Sequence, residues 1–85
     1  MARYGNQRVK HTPFSLKINM ILQDERDFKG LSNKALSVLS GMSEASLTRI
    51  FKNGRVLDIA ELETLCKVLN LSPSEVVKQA EDSVS

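Results

Sequence analysis

Aromatic rings, sulfur and histidine are scarce in this chain of 85 residues, which has three Phe, one Tyr, no Trp, one Cys and one His. An aromatic content of 5% leaves too few rings for the stacking platforms that hold single-stranded bases. The single cysteine, Cys66, excludes an internal disulfide and suits a reducing, cytoplasmic interior. His11 has no second His or Cys at ligand spacing, so no metal site is expected. A lone histidine in a terminal arm is no positioned base for Ser15, Ser32 or Asp58, and no glycine loop suited to phosphates is present. Neither a cofactor nor an enzymatic activity is therefore expected. No apolar run approaches the roughly 20 residues needed to span a bilayer, and no secretory signal is visible, so no membrane partner is expected.

What is present fits one small domain. An apolar content of 41% is ordinary for a globular chain. A core of this size is marginal, so tight helix packing or dimerisation would help it. The net charge is only +2, but it is unevenly placed. Residues 1–17 carry Arg3, Arg8, Lys10 and Lys17 with no acid, and residues 31–55 set Lys34, Arg49, Lys52 and Arg55 against Glu44 alone. Residues 56–85 set Lys67 and Lys78 against six acids. A basic front and an acidic rear are expected where one face meets phosphates.

The basic stretch Leu31–Arg55, LSNKALSVLSGMSEASLTRIFKNGR, reads as two short helices around Gly41. Leu31-Ser32 and Met42-Ser43 each put an apolar residue before a capping Ser, whose hydroxyl can accept from an unpaired helix N–H. Four residues after each cap stand Leu36 and Leu47, so both helices can begin with a hydrophobic staple. Gly41 can take the left-handed conformation that ends the first helix. Two short helices joined this way have the layout of a helix-turn-helix, whose second helix lies in the DNA major groove.

The remaining sequence supplies three more helices. Residues 1–11, MARYGNQRVKH, lack helical periodicity and read as a mobile basic arm. Thr12-Pro13 is a cap followed by proline at the first helical position. Phe14, Ile18, Ile21 and Leu22 then form a helical stripe, and that first helix should end within Gln23–Phe28. The helix-turn-helix pair spans about Asn33–Ser40 and Glu44–Lys52, with Asn53-Gly54 as the stop. Leu57-Asp58 with Glu61 and Leu62, and Leu71-Ser72 with Pro73, Glu75 and Val76, repeat the cap-and-staple devices. They start helices over about Ile59–Leu69 and Pro73–Glu81. The polar end, Asp82–Ser85, should fray, leaving a domain over residues 12–82 and a tail over 83–85. No segment alternates as a half-buried strand does, so the fold class is all-α with five helices. Cys66 lies on an apolar helix face as a core residue, and Met20, Met42, Phe14, Phe28 and Phe51 are further core candidates.

Residues 31–76 resemble the Cro/lambda-repressor-like helix-turn-helix domains, the XRE family. The resemblance is carried by Asn33, Ser37, Gly41, Ser43, Leu47 and Ile50, and by the tail DIAELETLCKVLNLSPSEV from Asp58 to Val76. Three positions depart from the family pattern: Ser37 replaces the usual Ala, Asn33 replaces the usual Gln, and Lys52 is an extra residue before Asn53-Gly54. The resemblance implies a five-helix lambda-repressor-like domain, and it makes Glu44, Ala45 and Arg49 the base readers.

Helical geometry agrees with that assignment. With Leu47 and Ile50 pointing inward, Glu44, Ala45, Thr48 and Arg49 fall on the outer face. Arg49 could pair bidentately with guanine, Glu44 could accept from cytosine N4, and Ala45 or Thr48 could touch a thymine methyl. The plainer reading of Glu44 is that it does no more than complement the helix dipole. Asn33, Lys34, Ser43, Thr48, Lys52, Asn53 and Arg55 are candidate phosphate contacts, with a solvated charge as the plain alternative for Lys34 and Arg55. Arg3, Arg8 and Lys10, around Tyr4, could follow the backbone or enter a minor groove. The function expected is a sequence-specific duplex-DNA-binding transcriptional regulator of bacterial or phage type. It would be a repressor that acts in the cytoplasm as a homodimer on a palindromic operator, with the fifth helix and Ile59 or Val77 at the dimer surface. The competing reading is an antitoxin that binds a protein partner as well as operator DNA.

Overall fold

The computed structural model describes residues 10–85, so Arg3, Tyr4 and Arg8 of the arm lie outside the described residues. Five helices follow in order: α1 (Pro13–Phe28), α2 (Asn33–Ser40), α3 (Glu44–Asn53), α4 (Ile59–Val68) and α5 (Pro73–Val84). There is no strand among the described residues.

Local chemistry starts four of the helices as the sequence implies. The Thr12 hydroxyl accepts from Ser15 N–H at 3.1 Å while Thr12 N–H donates to Ser15 Oγ at 2.8 Å, a reciprocal capping box beneath Pro13. Ser32 accepts from Ala35 N–H, and Ser43 from Ser46 N–H. Asp58 and Glu61 close a second box, with bonds of 2.7 and 3.0 Å. The fifth start differs from expectation. Ser72 makes no cap bond; its ψ of 124° departs from the 151–172° of Ser43 and Asp58, and its hydroxyl meets Ser74 Oγ instead. Pro73 at the first position and Glu75 in the first turn prepare α5 without a cap bond.

Helix ends follow one pattern twice. Leu31 N–H reaches Arg26 C=O and Gly30 N–H reaches Asp27 C=O, while Leu71 and Asn70 do the same toward Cys66 and Lys67. Both are Schellman turns, with Gly30 (φ +69°) and Asn70 (φ +60°) in the left-handed region. The polar end of α5 does not fray where expected, since the helix continues through Asp82 and Ser83 to Val84. An i,i+4 pair of Lys78 with Asp82 and a Ser83 hydroxyl bonded to Gln79 C=O support that last turn.

The core gathers Ile18 and Leu22 of α1, Leu36 of α2, Leu47 of α3, Leu62, Leu65 and Cys66 of α4, then Leu69, Val76 and Ala80. Each fully buried Leu or Ile here contributes about 1.5–3 kcal/mol through the apolar surface it removes from water. α1 packs most extensively on α5, and α2 packs on both α3 and α4. Leu31, Met42 and Leu57, the residues before three of the caps, pack against this core as staples. Two core expectations are corrected. Phe28 is 85% exposed and Met20 49% exposed. Phe28 is the last residue of α1, beyond its inward stripe, and Met20 lies on the helix side away from Ile18 and Leu22. The inward position between those two belongs to Asn19, which is buried.

Candidate nucleic-acid interface

α3 is held so that one side is committed to the core and the other is left open. Leu47 and Ile50 are buried, while Glu44, Ala45, Thr48, Arg49, Lys52 and Asn53 are all exposed. At 100° per residue these six fall along one outward strip, so the candidate base readers and the C-terminal phosphate candidates share a face. Ser43 is exposed at the N-terminus of α3 and Lys34 on α2, and none of Lys34, Arg49 and Lys52 is held in an ion pair among the described residues. Glu44 occupies the first turn of α3, where it complements the helix dipole whatever else it touches.

Besides Ser43, whose hydroxyl is bonded to Ser46, two of the named phosphate candidates are engaged internally. Arg55 pairs with Glu61 at 2.6 Å and its side chain is only 11% exposed, so its charge serves the α3–α4 connection. Asn33 is half-buried, with its Oδ1 accepting from Arg26 Nη1. Lys10, the one arm cation among the described residues, is exposed.

The turn between α2 and α3 is cross-linked by short polar groups. Gly41, at φ +78°, donates its N–H to Ser37 C=O at 2.9 Å, and the Ser37 hydroxyl donates to Met42 C=O at 2.5 Å. Ser40 Oγ accepts from Met42 N–H at 3.1 Å. Ser37, where the resemblance would place Ala, thus gives the turn a bond that alanine cannot.

Two positioning groups escaped the sequence reading. Arg26, near the end of α1, stacks over the Phe51 ring of α3 at 5.0 Å and donates to Asn33 of α2 and to Asp27. One guanidinium therefore touches three helices, combining charge-assisted bonds with a cation–π contact. The second is Asn19, whose Nδ2 donates to Ile50 C=O at 3.2 Å and to Arg55 C=O at 3.0 Å. Its Oδ1 is buried and has no protein partner. A buried polar atom left unpaired costs about 1–3 kcal/mol, so the amide is tolerated there for its two donated bonds. No periodicity marks either residue; only a polar residue on the apolar stripe of α1 hints at Asn19.

Elsewhere on the surface, Phe14, Ile18, Leu57, Ile59, Leu62 and Val77 line a groove of about 420 Å³. A second groove, lined by Ile59, Leu62, Pro73 and Val77 among others, adjoins it, and Ile59 stands between the two at 81% exposure. Burial pushes the Cys66 thiol above its ordinary range, which keeps it protonated and inert in the core. No helix among the described residues is long and apolar enough to cross a membrane.

A capped two-helix unit with a glycine turn, an anchored second helix and an open polar strip along it define a helix-turn-helix DNA-binding domain. Residues 22–76 match the family described as Helix-turn-helix (HTH_3), and the chain belongs to that family. Among solved structures it is similar to the restriction-modification controller protein C.AhdI from Aeromonas hydrophila. That likeness has 26% identity and a TM-score of 0.65, covering 72% of this chain and 92% of the other. A variant of the restriction-modification controller protein C.Esp1396I shares the fold at 21% identity and a TM-score of 0.75, covering 88% and 95%. So does the clp gene regulator ClgR from C. glutamicum, at 20% identity and a TM-score of 0.73, covering 89% and 97%. No curated protein matches the chain significantly.

Proposed function

We propose that this protein is a sequence-specific transcriptional regulator, a repressor of bacterial or phage type, that reads duplex DNA with α3 in the major groove. The observation that carries this reading is the outward strip of α3, where Glu44, Ala45, Thr48 and Arg49 are exposed while Leu47 and Ile50 anchor the helix. Arg49 is the guanine reader, Glu44 and Ala45 stand at the first turn, and Lys34, Ser43, Lys52 and Asn53 meet phosphates. The controller and regulator neighbours support a regulatory role.

We further infer that two copies pair through the α1/α4/α5 groove, with Ile59 of each entering the apolar surface of the other. An isologous contact of this kind suits a palindromic operator whose half-sites lie about 10 base pairs apart. Selection from a random duplex pool tests both statements. Enrichment of an inverted repeat with that spacing is expected; a pool that stays random after repeated rounds would overturn the reading.

A further inference from the structure

The last turn of α3 is wider than an α-turn. Gly54 N–H, which in a regular helix would reach Ile50 C=O, reaches back to Arg49 C=O instead, and Arg55 N–H bonds that same carbonyl at 3.0 Å. A single wide turn of this kind accommodates one extra residue at the cost of a skipped acceptor. The skipped acceptor is Ile50 C=O, and the group that fills the vacancy is the Asn19 amide, 31 positions earlier on α1. The same amide nitrogen also fixes Arg55 C=O, so both sides of the wide turn are tied to one side chain. Leu16, one turn before Asn19, backs the site, since a Cβ on Gly54 would lie 2.9 Å from its Cδ2.

We propose that Asn19, which lies on none of the DNA-facing positions, is the positioning residue of the recognition helix. It is required because the wide turn at Lys52–Gly54 leaves Ile50 C=O without a backbone donor. The consequence for DNA rests on the reading of α3 given above. Arg49 supplies the doubly used carbonyl and also the principal base-reading side chain, so loosening the turn displaces Arg49 directly.

Four proteins make the test: the parent, Asn19→Leu, a deletion of Lys52 that returns the turn to α-helical length, and the two changes together. Amide hydrogen exchange is followed at Gly54 and Arg55, with Leu36 and Val76 as references. In Asn19→Leu, exchange at Gly54 and Arg55 is expected to rise at least about tenfold over the references. Affinity for the duplex that the parent selects should fall about tenfold or more, while affinity for a scrambled duplex, which loses only the Lys52 and Asn53 phosphate contacts, should fall several-fold less. In the Lys52-deleted background, Asn19→Leu should change exchange by less than about threefold. Uniform acceleration at all four amides would mark a general loss of stability and overturn the proposal. Equal loss on both duplexes would overturn it, and so would a cost independent of Lys52. Should the parent select no sequence, the DNA reading fails, and the exchange and deletion results still decide the role of Asn19. Should Asn19→Leu not fold, recovery of folding by the deletion supports the proposal and persistent unfolding overturns it.

Discussion

The two faces of this small domain expose opposite chemistry. The strip along α3 shows water a carboxylate, a hydroxyl, an amide and two cations, while the helix turns Leu47, Ile50 and the half-buried Phe51 toward the core. The face formed by α1, α4 and α5 shows water Ile59 and two apolar grooves. A chain with a marginal core gains nothing by leaving such carbon in solvent unless another surface covers it. The difference teaches that division of labour in a domain this size is made by helix faces, not by separate domains. On the function proposed above, the strip of α3 is the part that meets phosphates and base edges, and the apolar face is the part that meets a second copy.

The comparison is easiest to break at the apolar face. Ile59→Asp removes apolar burial twice in a two-fold contact, at about 1.5–3 kcal/mol per copy, so the dimer should weaken more than 100-fold. Sedimentation reads this directly, while the melting of the monomer should hardly move because Ile59 is exposed. An unchanged sedimentation profile would leave the apolar face without its assigned role.

On the α3 strip, Arg49→Ala should cost roughly 1–3 kcal/mol on the selected duplex, relax one base position, and leave the oligomeric state alone. Equilibrium binding to single-base variants of the site reads both effects; parental affinity with the fold intact would take α3 out of the groove. Between the faces, Gly41→Ala should destabilise by about 1–2 kcal/mol through backbone strain alone, because nothing lies within 4 Å of the added Cβ. Gly54→Ala should cost more, since its Cβ also meets Leu16, and urea titration should rank the two in that order. The smallest effect sharpens the capping argument. Asp58→Ala should lose about 1 kcal/mol, whereas Ser72→Ala, lacking a cap bond to break, should stay within about 0.5 kcal/mol.

Legibility followed the range of the interactions. Helix starts at Thr12, Ser32, Ser43 and Asp58 were readable because a cap is a contact across three residues, and the turn at Gly41 was readable because few side chains tolerate its φ. The exposure of Glu44, Ala45, Thr48 and Arg49 follows from helical periodicity with Leu47 and Ile50 inward. Asn19 was not legible, because its partners lie 31 and 36 residues away. Nor were the engagements of Asn33 with Arg26 and of Arg55 with Glu61, since a side chain's type does not state which neighbour it meets. Phe28 misled for a related reason: hydrophobicity records a preference for burial, while position on the helix decides whether burial is available. Polarity at the end of α5 is no stop, because i,i+4 pairing of Lys78 with Asp82 carries the helix onward.

The stitched turn of Ser37, Ser40, Gly41 and Met42 has a kinetic consequence. With α2 and α3 tied together by three bonds at the turn, the two helices should meet DNA as a preformed unit with little backbone ordering left to lose. Association then depends on orientation and long-range charge, not on a folding step, so the encounter rate should respond to ionic strength far more than to mild denaturant.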